Sequence, residues 1–580
     1  MNYRINNVIY NGYMKAEGKE HHESIHPIGI DTEAYKNGKC FMICTSVGDI
    51  WTPEQLPGVL FSRAGRDCTY VAYNLKYDES AILQSLPHEC LCELRETGKV
   101  TFLEYTYRFI AYKFMSIRKS NHSVTFYDIY GYFGGSLEYN SEKYLARKKI
   151  DVGSKQFSVE RVKAEWNSIA AYCIEDAKLV AELAGKLISV FESYGVYPRK
   201  LFSTAYVSYQ YFKAKCFYVT VKRYWDNHKQ VLDYAMQAYN GGKFEVTKKG
   251  RGYFYEYDIV SAYPAEISSL INIRYARVIY SSQYRTDAVY GFIRCRMAIS
   301  KDTHSPVAVK VGELCVFPCG VHTKVITKNE YDYLVSQGCD LSIIDAVWLV
   351  VDTIDYPYRQ AIEHLVAEKK KYSNDKSSLH YHTVKILMNS LYGKFVQLIR
   401  KNGRLYASTC WNPIYGSIIT ANTRIAVTRM QQQYSDIVAV HTDSVISTSP
   451  ITEGIGTNLG EFKYECEGDG IIIGCGVYQI GNTSKIRGFN TRKPLMEYCE
   501  YDGDTLNIKQ NHVISWKEAA LHGIGEKNIN EFVEIEKGLH VRLDRKRIWL
   551  NDFESFREVL HRQVSSLPID ASLLSVVRGR

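Results

Sequence analysis

Carboxylate side chains recur in this 580-residue chain at spacings that suit the binding of divalent metal ions. Asp31 and Glu33 are separated by one residue, so on a strand both side chains point to the same face. Tyr172 and Asp176 are four residues apart, so on a helix they also share a face. Together with Asp78, these residues could hold metal ions, one of which activates water for phosphodiester hydrolysis.

A second set of acidic residues lies in the C-terminal half of the chain. Asp258 ends the alternating segment 253–258, and Asp443 follows the β-branched run 437–441, so both segments are predicted to be strands. Two carboxylates on adjacent strands suffice to hold the two metal ions of nucleotidyl transfer. The chain therefore has residues for two different reactions of phosphodiesters.

Between these two carboxylates, a segment with helical pattern carries polar residues at a helical repeat. Asn389 and Tyr392 follow Lys385 at +4 and +7, which corresponds to helical angles of about 40° and −20°. The three side chains therefore line one face, while Leu387 and Leu391 can turn toward the core. Lys385 gives that face a positive charge that suits a phosphate group.

Seven short motifs occur in a fixed order along the chain. They are Asp31-Thr32-Glu33, Tyr73–Asp78, Tyr172–Asp176, Tyr239-Asn240-Gly241-Gly242, Asp258–Pro264, Lys385–Gly393 and His441–Ser444. In this order they resemble a family B DNA polymerase with a 3′–5′ exonuclease of the DEDD type that has tyrosine in its third motif. The compact length is similar to that of the protein-primed branch, and the resemblance covers residues 28 to 490.

The resemblance implies roles for the residues of the exonuclease. It assigns metal binding to four carboxylates and the orientation of the attacking water to Tyr172; the carboxylates are Asp31, Glu33, Asp78 and Asp176. It assigns DNA contacts to Asn74 and Tyr77, at a frayed primer end, and to Lys149, at the scissile phosphate. Lys149 also belongs to the basic run 147–149, which a solvated surface would explain equally well.

The same resemblance implies roles for the polymerase residues. It makes Asp258, Asp443 and the carbonyl of Ile259 ligands of two Mg²⁺ ions, with Mn²⁺ as an alternative metal, and a further Mg²⁺ pair would serve the exonuclease. Nucleotide binding is assigned to Tyr263, which excludes a 2′-hydroxyl, and to Lys385, Asn389 and Tyr392. Contacts with template-primer DNA are assigned to Tyr239, Gly241, Gly242 and Lys394.

The chain departs from the family pattern at three places. His441 occupies a position that is usually acidic, and we expect it to weaken metal binding, more so when it is protonated below its ordinary pKa of about 6.5. Gly476-Val477-Tyr478 lacks the lysine that usually stands two residues before the tyrosine, and Lys485 could supply that charge. Only 45 residues (441 − 395 − 1) separate Phe395 from His441, which leaves little chain for a hairpin that encircles DNA.

The predicted fold class is α/β multidomain, with a ribonuclease-H-like exonuclease domain followed by a right-hand polymerase of palm, fingers and thumb. The predicted limits are 1–190 for the exonuclease, 191–235 for a helical connection, 236–450 for palm and fingers, and 451–580 for the end of the palm and the thumb. Residues near 275–355 leave room for an insertion of the kind that the resemblance associates with a terminal protein. Within these domains we predict strands at 27–31 and 71–73 and helices at 168–187 and 356–395.

Composition limits the remaining possibilities. The net charge is +9, and basic clusters at 248–251, 369–371 and 545–547 suit a phosphate-backbone track. Fifteen cysteines have no disulfide or zinc-site spacing, which favours thiols in a reducing compartment. The first ten residues contain no apolar signal core, and no run is long enough to cross a bilayer, so a soluble intracellular protein is expected.

These observations predict a replicative DNA polymerase with proofreading, from a virus or mobile element and primed by a protein hydroxyl. Its partners would be template-primer DNA, deoxynucleoside triphosphates and a terminal protein. One alternative is a family B polymerase that uses nucleic-acid primers or none. Another is a catalytically silent DNA-binding relic, which His441 favours and the retained carboxylates oppose.

Overall fold

The computed structural model describes residues 5–10, 23–62, 67–111, 113–154, 156–216, 219–401, 403–491, 493–523 and 529–574. The first strand, β1 (Val8–Tyr10), lies apart from the N-terminal domain that follows it. That domain begins near residue 23 and is built on an eight-stranded sheet.

The N-terminal sheet has the strand order β4-β3-β2-β5-β9-β8-β7-β6. Its strands are β2 (Ile28–Ala34), β3 (Cys40–Thr45), β4 (Ile50–Trp51), β5 (Thr69–Ala72), β6 (Lys99–Phe102), β7 (Tyr105–Ile110), β8 (Phe114–Lys119) and β9 (His122–Asp128). Its helices are α1 (Leu56–Leu60), α2 (Lys76–Leu83), α3 (His88–Thr97), α4 (Tyr130–Phe133), α5 (Leu137–Leu145) and α6 (Val159–Ser193). Strands β2, β5 and β9 are parallel, and β9 to β6 form an antiparallel meander.

Helix α6 packs directly on strand β2 because Gly29 has no side chain. A Cβ at Gly29 would lie 1.9 Å from the carbonyl oxygen of Ala177, so a larger residue would push the helix away. The apolar face of α6, including Leu179 and Leu183, is fully buried. This close approach brings the helix motif and the strand motif of the predicted exonuclease together.

Three helices, α7 (Thr204–Lys215), α8 (Lys222–Asn227) and α9 (Lys229–Ala238), connect the N-terminal domain to the second large sheet. That sheet has the order β10-β20-β21-β11-β22-β23-β24. Its strands are β10 (Lys243–Val246), β11 (Lys248–Ile259), β20 (Ile437–Thr442), β21 (Ser444–Ser447), β22 (Phe462–Gly474), β23 (Val477–Ile480) and β24 (Thr483–Ile486). In two of its strand pairs, β10–β20 and β11–β21, the paired residues lie 186 to 199 positions apart in sequence.

The long excursion between β11 and β20 combines helices with a strand-rich insertion. Its helices are α10 (Ala262–Ser268), α12 (Arg359–Lys371), α13 (Leu379–Asn389), α14 (Tyr392–Phe395) and α15 (Pro413–Gln433). Between α10 and α12 the chain forms β12 (Arg277–Tyr280), β13 (Tyr290–Ile299), β14 (Val309–Val311), β15 (Leu314–Val316), β16 (Gly320–Thr327), α11 (Lys328–Ser336) and β17 (Asp340–Val350). Strands β12-β17-β13-β16 make one antiparallel sheet, which occupies the predicted insertion.

A short hairpin follows α14, made of β18 (Leu398–Lys401) and β19 (Arg404–Ala407). Strand β1 pairs in parallel with β19, so residues 8–10 belong to this small sheet rather than to the N-terminal domain. Each strand has only four residues, in agreement with the short interval between Phe395 and His441 in the sequence.

The C-terminal part begins with α16 (Leu495–Tyr498) and a long hairpin of β25 (Thr505–Val513) and β26 (Phe532–His540). Helix α17 (Trp516–His522) lies at its tip. The chain then returns to the second sheet through β27 (Ile548–Trp549) and β28 (Gln563–Leu567), which pairs with β11.

Most predicted elements are present with longer or shifted ends. The strand predicted at 27–31 is β2, the strand at 71–73 is β5, and the helix at 168–187 is the central part of α6. The segment 356–395 is helical but divided into three helices. The fifteen cysteines, all in the described part of the chain, are present as thiols.

Candidate active sites

The first candidate site lies where β2 meets α6. A carboxylate oxygen of Asp31, one of Glu33 and the sulfur of Cys173 lie within 4.8 Å of one another. The Cys173 thiol donates to the backbone carbonyl of Asp31 at 3.6 Å. Cys173 follows the predicted tyrosine directly, yet its type gave no signal in the sequence, because a lone cysteine is usually only a core residue.

Asp78 enters this site from the start of α2. Its carboxylate accepts a hydrogen bond of 2.8 Å from the Thr32 hydroxyl on β2. Burial and then the nearby charge of Asp31 raise the pKa of Asp78 well above its usual range. A buried carboxyl with a raised pKa beside another carboxylate is the arrangement that a divalent cation would stabilise in the charged form.

Asp176 and Tyr172 complete the site from α6. Asp176 is buried and forms an ion pair with Lys149. The Lys149 ammonium also lies 5.3 Å from the ring centre of Tyr172. Burial, followed by the charges of Asp176, Glu33 and Asp31, raises the pKa of Tyr172. The solvated-surface alternative for Lys149 therefore does not describe its side chain, which is only 13% exposed.

The predicted single-strand contacts flank the same cleft. Tyr77 is half-buried, and burial followed by the charges of Glu33, Cys40, Asp78 and Asp31 raises its pKa. Asn74 is exposed and adopts a positive φ of 64°, a conformation that asparagine tolerates better than most residues. Its backbone N–H donates to the carboxylate of Asp128, which fixes the turn before α2.

The second candidate site lies on the second large sheet. Asp258 stands near the end of β11, and Asp443 lies in the turn between β20 and β21. The Ile259 N–H donates to the Asp443 carbonyl at 2.9 Å, which ties the two segments together. Burial and then the charge of Asp443 raise the pKa of Asp258 to about 7. The two carboxylates therefore interact, as the sequence predicted for neighbouring strands.

Backbone strain surrounds these carboxylates. Thr442 and Ser261 adopt positive φ angles of 66° and 50°, which are rare for residues with a Cβ and costly for a β-branched one. Gly242 allows the 239–242 loop to lie against this turn, since a Cβ there would be 2.5 Å from the Thr442 methyl group. A Cβ built on Gly241 would meet nothing within 4 Å, so this glycine borders open space, and the DNA contacts of Gly241 and Gly242 stay predictions.

His441 does not behave as the sequence suggested. Its ring is buried between Phe244 and Tyr478, with centroid distances of 4.8 Å to each. Burial, followed by the charges of Lys485 and Lys546, lowers the pKa of His441 to about 3. Because the pKa of His441 is lowered, the structure does not support the expected protonation near pH 6.5, and the expectation that His441 weakens metal binding stays a prediction.

Lys485 faces the same cavity as the carboxylates. The cavity has a volume of about 900 Å³, and Asp258, His441, Asp443 and Lys485 all line it. Strand β24 places Lys485 opposite Tyr478, and its ammonium donates to the Tyr478 hydroxyl at 2.6 Å. Tyr478 in turn donates to Glu256 at 3.0 Å. The Lys485 ammonium therefore gives this cavity a positive charge, although Gly476 occupies the position where lysine is usual.

Three tyrosines predicted to contact nucleotide or primer meet beside this site. The Tyr263 and Tyr392 rings stack at 4.4 Å, and the Tyr239 and Tyr392 hydroxyls are 2.8 Å apart. Lys385 and Asn389 on α13 are exposed on the predicted face, while Leu387 and Leu391 are fully buried. The motif thus presents the predicted residues outward, although α13 ends at Asn389 and Tyr392 begins α14.

Two further basic residues belong to this region, and the sequence did not single them out for it. Lys369 on α12 donates to the Ser261 hydroxyl at 3.4 Å, and burial and then the charges of Lys385 and Lys463 lower its pKa. Arg424 on α15 is fully buried and donates to the carbonyls of Asn240 and Gly241 at 2.9 and 2.8 Å. The basic run 369–371 hinted at the first, whereas Arg424 left no local signal.

Lys394 lies farther from the carboxylates. Its ammonium donates to the Gln397 side chain at 3.0 Å, and burial lowers its pKa. It lies 5.9 Å from the ring centre of Tyr206 on α7. The predicted contact of Lys394 with DNA therefore stays a prediction.

Comparisons with known proteins agree with this geometry. A family model described as DNA polymerase type B, organellar and viral, matches residues 110–409. The chain belongs to this family. A DNA polymerase of Acidianus bottle-shaped virus (isolate Italy/Pozzuoli) is 27% identical over 292 residues, which are 47% of this chain. The match covers only 43% of that viral protein.

Solved structures establish the fold. Phi29 DNA polymerase superposes with a TM-score of 0.64 at 13% identity and covers 89% of this chain and 100% of its own. Its complex with primer-template DNA and incoming nucleotides gives a TM-score of 0.63 at 14% identity, with 90% and 100% coverage. The N-terminal domain thus has the exonuclease fold, and the rest has the palm, fingers and thumb of a right-hand polymerase, as predicted.

Polymerases of this family depend on divalent metal ions. The oxygen donors of Asp31 and Glu33, and the interacting pair Asp258 and Asp443, fit such ions. Among the described residues, no helix is both long and apolar enough to span a bilayer.

Proposed function

We propose that the protein is a template-directed DNA polymerase with a 3′–5′ proofreading exonuclease. One observation carries the proposal. Asp258 and Asp443 come from distant parts of the sequence and meet in a cavity that the Lys485 side chain also lines. Family membership supports the same conclusion.

In the polymerase site, Asp258 and Asp443 would hold two Mg²⁺ ions, with the Ile259 carbonyl as a further ligand. The metals would lower the barrier to attack of the primer 3′-oxygen and hold the triphosphate. Lys369 and Lys385 would neutralise the phosphates, because both ammonium groups approach the same region. Tyr263, which stacks on Tyr392, would close the space that a ribose 2′-hydroxyl needs.

The primer would be held by the 239–242 loop. Arg424 fixes the backbone of this loop through two carbonyls, and Gly242 seats it against Thr442. Lys485, steadied by Tyr478 and Glu256, would contact a phosphate on the opposite wall of the cavity. In this proposal, Lys485 supplies the charge that Gly476 does not.

In the exonuclease site, Asp31, Glu33, Asp78 and Asp176 would hold a second Mg²⁺ pair, and Tyr172 would orient the attacking water. Lys149 would exchange its bond to Asp176 for the scissile phosphate. Asn74 and Tyr77 would grip the frayed end of the primer.

Replication of a viral or mobile-element genome from a protein primer is the finer part of the proposal. The insertion at 275–355, a sheet of four strands with α11, offers a surface for a terminal protein. The rival is a polymerase of the same core that extends nucleic-acid primers only.

Two assays test the proposal. The first supplies the protein with a primed template, four deoxynucleotides and Mg²⁺, and should give full-length extension that Asp443→Asn abolishes. The second adds the product of a neighbouring small basic reading frame and a labelled deoxynucleotide. Label transferred to that protein supports protein priming, and extension without such transfer supports nucleic-acid priming. Absence of extension in Mg²⁺ and in Mn²⁺ would favour the silent relic.

A further inference from the structure

Two parts of the hairpin tip that connects β25 and β26, the start of α17 and residues 529–530, are buried against the exonuclease domain. Trp516, the first residue of α17, has no exposed surface. Its ring meets the edge of Phe109 on β7 at 5.1 Å and belongs to the same apolar cluster as Ile30 and Ala72. Trp516, which lies 340 positions after Asp176 in sequence, is thus part of the core of the exonuclease domain.

Three hydrogen bonds join this tip to helix α2. The Trp516 indole N–H donates to the Glu79 carboxylate at 3.2 Å, and its backbone N–H donates to the Ser80 hydroxyl at 3.4 Å. The Asn530 side-chain amide donates to the carbonyl of Tyr77 at 3.0 Å. The three acceptors flank Asp78, the carboxylate that α2 supplies to the site.

The tip also packs on the turn that follows β2, the strand of Asp31 and Glu33. Gly38 in that turn has a φ of +83°, and a Cβ there would lie 2.1 Å from the Ile529 carbonyl oxygen. The tip therefore touches the two elements that must be held in register for Asp78 to face Asp31.

The base of the hairpin is fixed to the palm. Ile508 on β25 and Leu539 on β26 pack in one apolar cluster with Ile471 and Ile473 of β22. Strand β22 pairs with β11, which carries Asp258. The hairpin thus connects the sheet that carries Asp258 with helix α2, which carries Asp78.

We propose that Trp516 and Asn530 are positioning residues of the exonuclease, which act through α2 to hold Asp78 against Asp31 and Glu33. The proposal rests on the proposed exonuclease function. Nucleotide addition at Asp258 and Asp443 uses no residue of α2, so release of the tip should impair degradation of single-stranded DNA and spare primer extension.

The test compares Trp516→Phe, Asn530→Ala and the double variant with Leu521→Ala. Trp516→Phe keeps an aromatic ring and loses the indole N–H, and Leu521 on the same helix is 54% exposed. In one preparation of each, kcat and KM are measured for degradation of single-stranded DNA and for primer extension. Amide hydrogen exchange of α2 and of β20–β21 is followed by mass spectrometry without DNA.

We expect the double variant to lower the exonuclease kcat by about 100-fold, because small displacements of a catalytic group have effects of that size, with KM and extension little changed. Exchange should accelerate in α2 and stay constant in β20–β21, while Leu521→Ala matches the unmodified protein. Equal loss of both activities, or unaltered degradation with unaltered exchange in α2, would overturn the proposal. If the unmodified protein degrades no DNA, the proposed exonuclease function fails. Amide exchange of α2 in the variants then decides by itself whether Trp516 and Asn530 hold this helix in place.

Discussion

Single residues decide how the polymerase site is assembled, and some of them carry unusual conformations. Asp258 and Asp443 are joined by a hydrogen bond from Ile259 and flanked by the positive φ angles of Ser261 and Thr442. Strain of this kind persists only where surrounding contacts fix it, and here the packing of Gly242 on Thr442 does so. The turn between β20 and β21 is therefore a preformed part of the site.

Tyr263 should determine the choice of sugar. We expect Tyr263→Val to raise ribonucleotide incorporation relative to deoxynucleotide by about 10- to 100-fold, because it removes the ring that stacks on Tyr392 and opens space beside it. Tyr263→Phe keeps the ring and should retain discrimination. The ratio of kcat/KM for the two nucleotides measures the effect, and an unchanged ratio in Tyr263→Val would show that another residue excludes the ribose.

Lys485 should support extension without affecting degradation. We expect Lys485→Ala to lower kcat/KM for extension about tenfold, which corresponds to the loss of one charge-assisted hydrogen bond. Lys485→Arg keeps the positive charge and should lower kcat/KM less. Tyr478→Phe, which removes the hydroxyl that holds the ammonium, should have a smaller effect. Steady-state extension and single-strand degradation are measured on the same samples. Equal extension by Lys485→Ala and the unmodified protein would remove Lys485 from the site.

At this scale the sequence located the carboxylates on their elements but not the residues that surround them, and the roles of the carboxylates stay predictions. Spacing on a strand and on a helix placed Asp31, Glu33 and Asp176 correctly on facing elements. It could not foresee that His441 would be enclosed by two aromatic rings, because Phe244 lies on a strand about 200 residues earlier. Arg424 escaped notice for the same reason, since its partners Asn240 and Gly241 are distant in sequence.

At the scale of elements, periodicity and β-branched runs located the strands and helices that carry the motifs. Helix α6 was recognisable because its apolar residues repeat every three or four positions. The docking of α17 was not, because the residues that Trp516 contacts lie in another domain. Local patterns specify an element, and only tertiary contacts specify what it packs against.

The contact between α17 and α2 should make stability depend on pH. Burial raises the pKa of Glu79 above its ordinary value near 4.3, so the folded protein favours the protonated acid. The free energy of unfolding therefore falls as the pH rises from the pKa of Glu79 in the unfolded chain to its higher pKa in the folded protein. Because Gln does not ionise, we expect the melting temperature of Glu79→Gln to exceed that of the unmodified protein by more at pH 9 than at pH 5. A difference independent of pH would contradict this.

At the scale of the whole molecule, the two candidate sites belong to one chain whose domains are joined at several places. The hairpin of β18 and β19 has strands of four residues and pairs with β1, so it offers little chain to surround DNA. The domain limits drawn from the sequence described this arrangement only coarsely, because β1 and β28 each return to a sheet far from their neighbours in sequence.

The short hairpin should limit strand displacement. We expect extension to proceed to the end of a gap and slow at the downstream duplex, by about tenfold or more per nucleotide, because separating each base pair costs free energy that few contacts offset. The same template without a downstream strand is the control. Long rolling-circle products from the protein alone would contradict the expectation.

The central claim is that one chain holds two independent active sites, and reciprocal inactivation tests it most directly. Asp31→Ala with Glu33→Ala should abolish degradation of single-stranded DNA and leave primer extension, while Asp258→Asn should abolish extension and leave degradation. Both variants should melt cooperatively near the unmodified protein. If either substitution removes both activities from a folded protein, or if Asp258→Asn still extends primers, the two-site account is wrong.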